Sequence, residues 1–303
     1  MPVNTYAGLP PQQRQFYDRA LIERLKADLV FAMHGQKRPV PKNKGDMVQF
    51  RKFNSLAPAL TPLSEGTTPT GDTLNITTIT AKANQYGNYV QTSDVLNIAG
   101  IDPVFTETVD LIGENASETL DIICRNGISV GTNVLYANGK LSRTALVAAD
   151  VISSNDIFKA RRTLKAANVP AYKDGAYLGI ISPAVAFDLM KDPLWQDVSK
   201  YNGGKAIIKG EIGTLGGVRF IETSNIEEIN NGTTDVHLCY IFGKEAYGVV
   251  DIAGKATPEI ITKELGAGED PLNQRASAGW KALFVSKILN EESIIRFEVA
   301  VSA

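Results

Sequence analysis

The chain has 303 residues, is 44% hydrophobic and carries a formal net charge of −2, so it can bury one large core or two ordinary ones. Nothing global in that balance demands nucleic acid, and no apolar run approaches the roughly 18 residues of a membrane span. The N-terminus also lacks a secretory apolar region. The charge is unevenly spread. Residues 1–53 hold ten Lys or Arg against four Asp or Glu, a balance of +6, which leaves −8 for the rest. A basic arm on an acidic body can meet an anion such as DNA, or a neighbour's acidic surface; it can also simply be a solvated arm.

In chain order, residues 1–12 read as an extended start around Pro10-Pro11. Gln13–Met33 has Tyr17, Leu21, Leu25, Leu29 and Met33 at every fourth position, which predicts an amphipathic helix stopped by Gly35. Lys37 to Lys44, with Arg38 and Lys42, reads as a basic, proline-punctuated connection. Met47–Phe53 (MVQFRKF) predicts a strand, and Leu74–Val90 a second, longer one. Between them Asn54–Thr73 carries three prolines and two glycines, a loop of a length that is usually functional or mobile. Two strands joined this way form a ribbon that is marginal alone and wants a partner. Arg51, Lys52 and Glu65 are its candidate subunit contacts, with Lys37 and Arg38 on the arm.

Asp102–Asn126 has apolar residues at Phe105, Val109, Ile112, Ala116, Leu120 and Ile123, one face of a helix about 37 Å long. Asp102 would cap it, Pro103 begin it and Gly127 end it. This helix is the expected spine of the fold. Ser129–Ala149 predicts short strands. Ser154–Ala167 returns to helical spacing, capped by Ser154 or Asn155, with Ile157, Ala160, Leu164 and Ala167 inward. Tyr177–Ser182 predicts a buried strand and Pro183–Met190 a helix that begins on proline; Leu194–Gly210 is a loop. Strands follow at Gly217–Glu222, Val236–Phe242 and Tyr247–Asp251. Trp280–Leu289 and Ser293–Val301 predict two strands around a turn at Asn290-Glu291-Glu292. The class is α+β, without regular βαβ alternation.

Catalytic signals are weak. Gly127-Ile128-Ser129-Val130-Gly131 fits the letters of a nucleophile elbow, with His237 later in the chain. The elbow needs a strand before its serine and a helix after it, and here a helix leads in. His34 and His237 lie at no metal-ligand spacing, and His237 reads as a structural histidine in an apolar strand. Gly203-Gly204-Lys205-Ala206 lacks the residues of a phosphate loop, and Gly210, Gly213, Gly216 and Gly217 read as turn glycines. Glu227-Glu228 and Glu291-Glu292 read as solvated pairs in polar turns. Cys124 and Cys239 read as buried thiols of a chain made in a reducing cytoplasm. No cofactor or metal is expected.

The order of basic arm, extension loop, spine helix, mixed domain and terminal strands resembles the tailed-phage major capsid proteins of the Hong Kong ninety-seven fold. The segments YLGIISPAVAFDLMKDP, LGGVRFIETSNI, YIFGKEAYGVV and WKALFVSKILNEESIIRFEV are similar to family segments. FYDRALIERLKADLVFA and LTPLSEGTTPTG resemble the branch named after coliphage N-four. The resemblance implies an N-terminal arm (1–44), an extension loop (45–92), a peripheral domain (93–150 and 275–303) and an axial domain (151–274). It implies hexamers and pentamers of this chain closing into an icosahedral shell around double-stranded DNA, in the virion after assembly in the host cytoplasm. Separate scaffold and portal proteins are the expected partners, and no membrane. Some relatives cross-link through an extension-loop lysine; Lys52 lies at the base of this loop, and that chemistry is not carried over. The alternatives are an encapsulin-like compartment of the same fold, enclosing cargo enzymes, and a serine hydrolase using Ser129.

Overall fold

A computed structural model describes residues 30–40, 47–63, 65–66, 68, 70–99, 104–172, 174–195, 211–252, 258–263 and 272–302. The expected start at 1–12, the helix Gln13–Met33 up to residue 29, Lys42, Lys44, the Asp102-Pro103 cap and the loop from residue 196 to Gly210, including Gly203–Ala206, lie outside the described residues.

The described chain begins with α1 (Phe31–His34), β1 (Gln36–Val40) and a ribbon of β2 (Met47–Phe53) and β3 (Ile76–Lys82). Then come β4 (Asn84–Ser93), α2 (Asp94–Ala99), the spine helix α3 (Val104–Ser129) and β5 (Val134–Tyr136). Next are α4 (Ser154–Ala166), β6 (Tyr177–Ile181), α5 (Pro183–Lys191), β7 (Glu211–Leu215) and β8 (Val218–Glu222). The chain ends with β9 (Glu228–Asn230), β10 (Asp235–Phe242), β11 (Tyr247–Ile252), β12 (Glu259–Lys263), β13 (Arg275–Ile288) and β14 (Ile294–Ala300). One sheet runs β5-β14-β10-β6-β8-β7, with β9 also on β10; the other runs β1-β11-β13-β12, with β4 also on β13.

The spine helix packs on β13 and β4. Thr108, Ile112, Ala116, Leu120, Asp121, Cys124 and Ile128 are its buried face, while the expected Phe105, Val109 and Ile123 sit half-buried at its flank. Gly127 does not end it. A Cβ there would stand 3.0 Å from Ser286 Cβ, so this glycine permits close helix-to-strand approach, and the helix continues to Ser129.

Asp121 is fully buried. It accepts from the backbone N–H of Ala32 (2.9 Å) and from Asn225 Nδ2 (2.8 Å), which ties both the arm's root and the second sheet to the spine.

Several expectations change. Gln36–Val40 is not an irregular connection but a strand parallel to β11. Met33, expected inward, is 71% exposed, because Val30 and Phe31 take the buried side. Leu74–Val90 is two strands rather than one: β3 pairs with β2 and β4 with β13, and the chain changes partners at buried Ala83. Ser153, one residue before the expected caps, caps α4, since its hydroxyl accepts from Asp156 N; Ser154 N is held by Asp192 instead (2.9 Å). The helix α5 begins on Pro183, as the sequence predicts, while Ser182, expected as the end of the preceding strand, is its cap. Ser129–Ala149 holds β5 and two one-turn 3-10 helices. The last two strands do not pair with each other: β13 lies in the spine's sheet, while β14 pairs with β10 and β5 in the other.

Candidate intersubunit surface

The ribbon is built from two seven-residue strands in register from Met47↔Lys82 to Phe53↔Ile76. Thr, Ile, Val and Phe suit extended backbone, and Asn54 N donates to Asn75 O (3.0 Å) to close its outer end. Among the described residues only its root meets the body. Phe50 lies over Gly248 of β11, where an added Cβ would stand 3.1 Å from the ring and 3.2 Å from Leu289 Cδ1. Ala81 and Ala83 are the ribbon side's buried residues. The described residues of 54–75 form no helix or strand and are exposed throughout.

Ribbon and body enclose a groove of ≈ 550 Å³. Its apolar lining is Val48, Phe50, Ile79, Pro170 and Leu289, and its cations are Arg38, Arg51, Lys52 and Lys244. Among the described residues Glu245 is the one carboxylate in that lining, and it stands 3.6 Å from Lys244. Lys52 Nζ donates to Asn290 Oδ1 across the groove (3.4 Å). The arrangement is an apolar channel edged with positive charge, suited to an amphipathic segment bearing carboxylates.

The structure thus brings Arg38, Arg51 and Lys52 together in one groove. Lys37 is exposed on the same strand as Arg38. Glu65 lies outside the groove lining, in an exposed turn with Gly66 (φ 74°) midway along the loop. Lys244 and Asn290 were missed by sequence reasoning, because they come from short connections that carry no motif.

The other candidate residues have structural roles. Ser129 is the last residue of a helix; its hydroxyl donates to Asn126 O (3.1 Å), and Arg296 Nη1 donates to its carbonyl and to that of Gly131. That arginine is steered by Glu298, which is 0% exposed and also takes two 2.7 Å bonds from Arg143. A guanidinium at a helix C-terminus complements the carbonyl dipoles there. The elbow's strand–serine–helix order is absent at this position. His237 is buried in β10 with Nδ1 3.4 Å from Glu228 Oε1. Glu228 is therefore a strand residue facing a histidine rather than part of a free turn, and Glu291 accepts from Thr132 N (3.2 Å). Gly216 and Gly217 do form a turn, both at positive φ. Cys124 and Cys239 are buried free thiols, each pushed up to about 12 by burial and so unreactive at neutral pH. Among the described residues no cluster of His, Cys, Asp or Glu could hold a metal.

The family described as phage capsid protein matches residues 76–297. The chain belongs to this family. It is a structural major capsid protein, and its fold is that of solved phage capsids. It is similar to the capsid of Ralstonia phage GP4 at TM-score 0.75 and 14% identity, over 100% of this chain and 99% of that one. The capsid of cyanophage P-SCSP1u aligns at TM-score 0.72 and 16% identity, over 95% and 93% of the two chains. The head structure of Helicobacter pylori bacteriophage KHP40 aligns at TM-score 0.73 and 12% identity, over 99% of each. No curated protein matches in sequence. Sequence has thus drifted far while the path of the chain has held. The capsid protein's place is the virion shell, where it assembles with copies of itself.

Proposed function

We propose that this capsid protein closes into an icosahedral shell through hexamers and pentamers, around double-stranded DNA, after assembly in the host cytoplasm. The observation that carries the reading is the loop from Asn54 to Asn75. Leu56, Leu60, Leu63 and Leu74 are all exposed on it. An apolar loop that the described residues of its own chain leave uncovered is an interaction surface. In this reading it lies over a neighbouring copy, and many modest contacts per subunit sum through effective concentration. The arm runs along the inside of the shell or beneath adjacent subunits, and separate scaffold and portal proteins take part. The spine helix with its sheet forms the peripheral domain and 151–274 most of the axial domain, with β14 joining the axial sheet and β11 the peripheral one. The affinity to the coliphage N-four branch rests on the sequence phrases quoted above. The role involves no catalysis.

Negative-stain electron microscopy of the chain expressed alone, beside a sizing column, tests the assembly reading. Closed shells or capsomer rings are expected, and a monomer hydrolysing esters through Ser129, with activity lost in Ser129→Ala, overturns it. Deleting residues 54–73 is expected to leave a soluble subunit that fails to close shells; normal shells from that deletion sink the loop's role. Charge reversal at Lys37, Arg38, Lys42 and Lys44 is expected to impair assembly or genome retention more than subunit folding.

A further inference from the structure

The groove and the loop are complementary, yet within one chain none of the loop's described residues lines the groove. Among the described residues the groove has an apolar lining and four cations, and Lys244 is the one of them beside a lining carboxylate. From Asn54 to Asn75 the loop has no Lys, Arg or His, and its charges are Glu65 and Asp72. Its tip presents two apolar knobs, Leu60 (87% exposed) and Leu63 (78% exposed), directly before Glu65. Leucine knobs followed by a carboxylate are what an apolar channel with a cationic edge would take. Gly66 holds φ 74°, so Glu65 sits in a turn midway along the loop rather than along a strand.

We infer that the groove at the ribbon's root receives the Leu60–Leu63–Glu65 tip of a second copy, with the leucines among Val48, Phe50, Ile79 and Leu289 and the carboxylate against Arg51 and its neighbouring cations. This rests on the reading that the loop lies over a neighbour, and it names the place on that neighbour. Each copy then gives one tip and takes one, a head-to-tail contact that generates rings when its rotation closes. Opposite charge guides the approach and fixes the register, while the leucines supply apolar burial. Lys52 is turned toward Asn290, which leaves Arg51 the better probe.

The test uses the full chain in assembled particles. Glu65→Cys is made in one preparation and Arg51→Cys in another, and the two are co-assembled and mildly oxidised. The native Cys124 and Cys239 are buried and do not compete. The expected result is a disulfide-linked dimer on a non-reducing gel in the mixed particles, several-fold above the level in particles of either variant alone. Intact mixed particles without that dimer overturn the groove, while leaving the loop's wider role to the 54–73 deletion. If either cysteine variant does not assemble, the charge swap decides: Glu65→Lys and Arg51→Glu should each lower particle yield about tenfold, and the double variant should restore most of it. Failure of the double variant to recover while its subunits stay soluble and folded also overturns the proposal.

Discussion

The seven-stranded sheet and the ribbon with its loop use much the same residues, Val, Ile, Phe, Leu and Thr, and complete them in opposite ways. In the sheet, β6 is buried at every position and β10 at every position after Asp235. Tyr240 packs its ring edge-on to Phe31 (5.7 Å), and Phe220 packs on Trp195 (6.0 Å). In the ribbon, only Val48, Phe50, Ile79 and Ala81 of β2 and β3 are even partly covered, and Phe53 and Ile76 stand open. One region is finished by its own chain. The other is left open by the described residues of its own chain, and in the proposed assembly neighbouring copies cover it, so subunit stability and shell formation should be separable by mutation.

The sharpest separation pairs two phenylalanines. Phe220→Ala empties a fully buried site and should cost about 3–5 kcal/mol in urea unfolding of the unassembled subunit. Phe53, 63% exposed, should cost less than about 0.5 kcal/mol in the same assay when changed to Ala. It should nonetheless lower the yield of closed shells by microscopy. Comparable unfolding costs for the two would break the comparison.

Glycines sharpen it next. In β4, a Cβ on Gly87 would stand 2.5 Å from the carbonyl oxygen of Trp280, a backbone atom that cannot step aside. Gly87→Ala should therefore cost about 1–3 kcal/mol of subunit stability and loosen the pairing of β4 with β13. In the loop, Gly71 has open space around it, and Gly71→Ala should stay within about 0.5 kcal/mol. Thermal unfolding of the two variants beside the parent chain decides. A large loss at Gly71 would mean that the loop is packed in the isolated subunit after all.

The same division explains what the sequence makes legible. β6, β10 and the spine helix are visible in the letters because burial imposes an uninterrupted apolar run or a four-three spacing. Gly127 is misread because glycine means both a helix stop and a close approach, and only Ser286, 159 positions on, tells them apart. The break at Ala83 is hidden for a similar reason: the residues on both sides favour strand, and the change of partner from β2 to β13 is long-range. β7, β9 and β12 are five residues or fewer and take their extended form from neighbouring strands, which a local pattern does not record. Of the groove, the basic residues on β1 and β2 stand out by charge. Lys244 and Asn290 reach it from connections after β10 and β13, so their part follows from topology alone.

The smallest effect lies in the acid limb of stability, and its sign follows from buried Asp150 and half-buried His34. Burial alone would raise the pKa of Asp150, but Asn138 Nδ2 (2.8 Å), the N–H of Val147 (2.9 Å) and Lys140 (3.6 Å) more than offset it and hold the carboxyl below its ordinary 3.8. A depressed folded-state pKa contributes stability that is present above 3.8 and lost as pH falls below it, because the unfolded chain takes up the proton first. His34 is also lowered, by burial first and by Arg219 second, so its neutral form is favoured in the fold and stability declines as pH falls below 6.5. The two windows do not coincide. Urea midpoints of the unassembled subunit should therefore fall in two stages on acidification. His34→Gln should flatten the upper stage and Asp150→Asn the lower, the latter with a lower midpoint at neutral pH as well, since an amide in place of the carboxylate weakens the Lys140 pairing. An unchanged lower stage in Asp150→Asn would mean that other carboxylates govern acid unfolding and that the turn around Asn138 and Val147 is not the acid-sensitive clasp on this sheet.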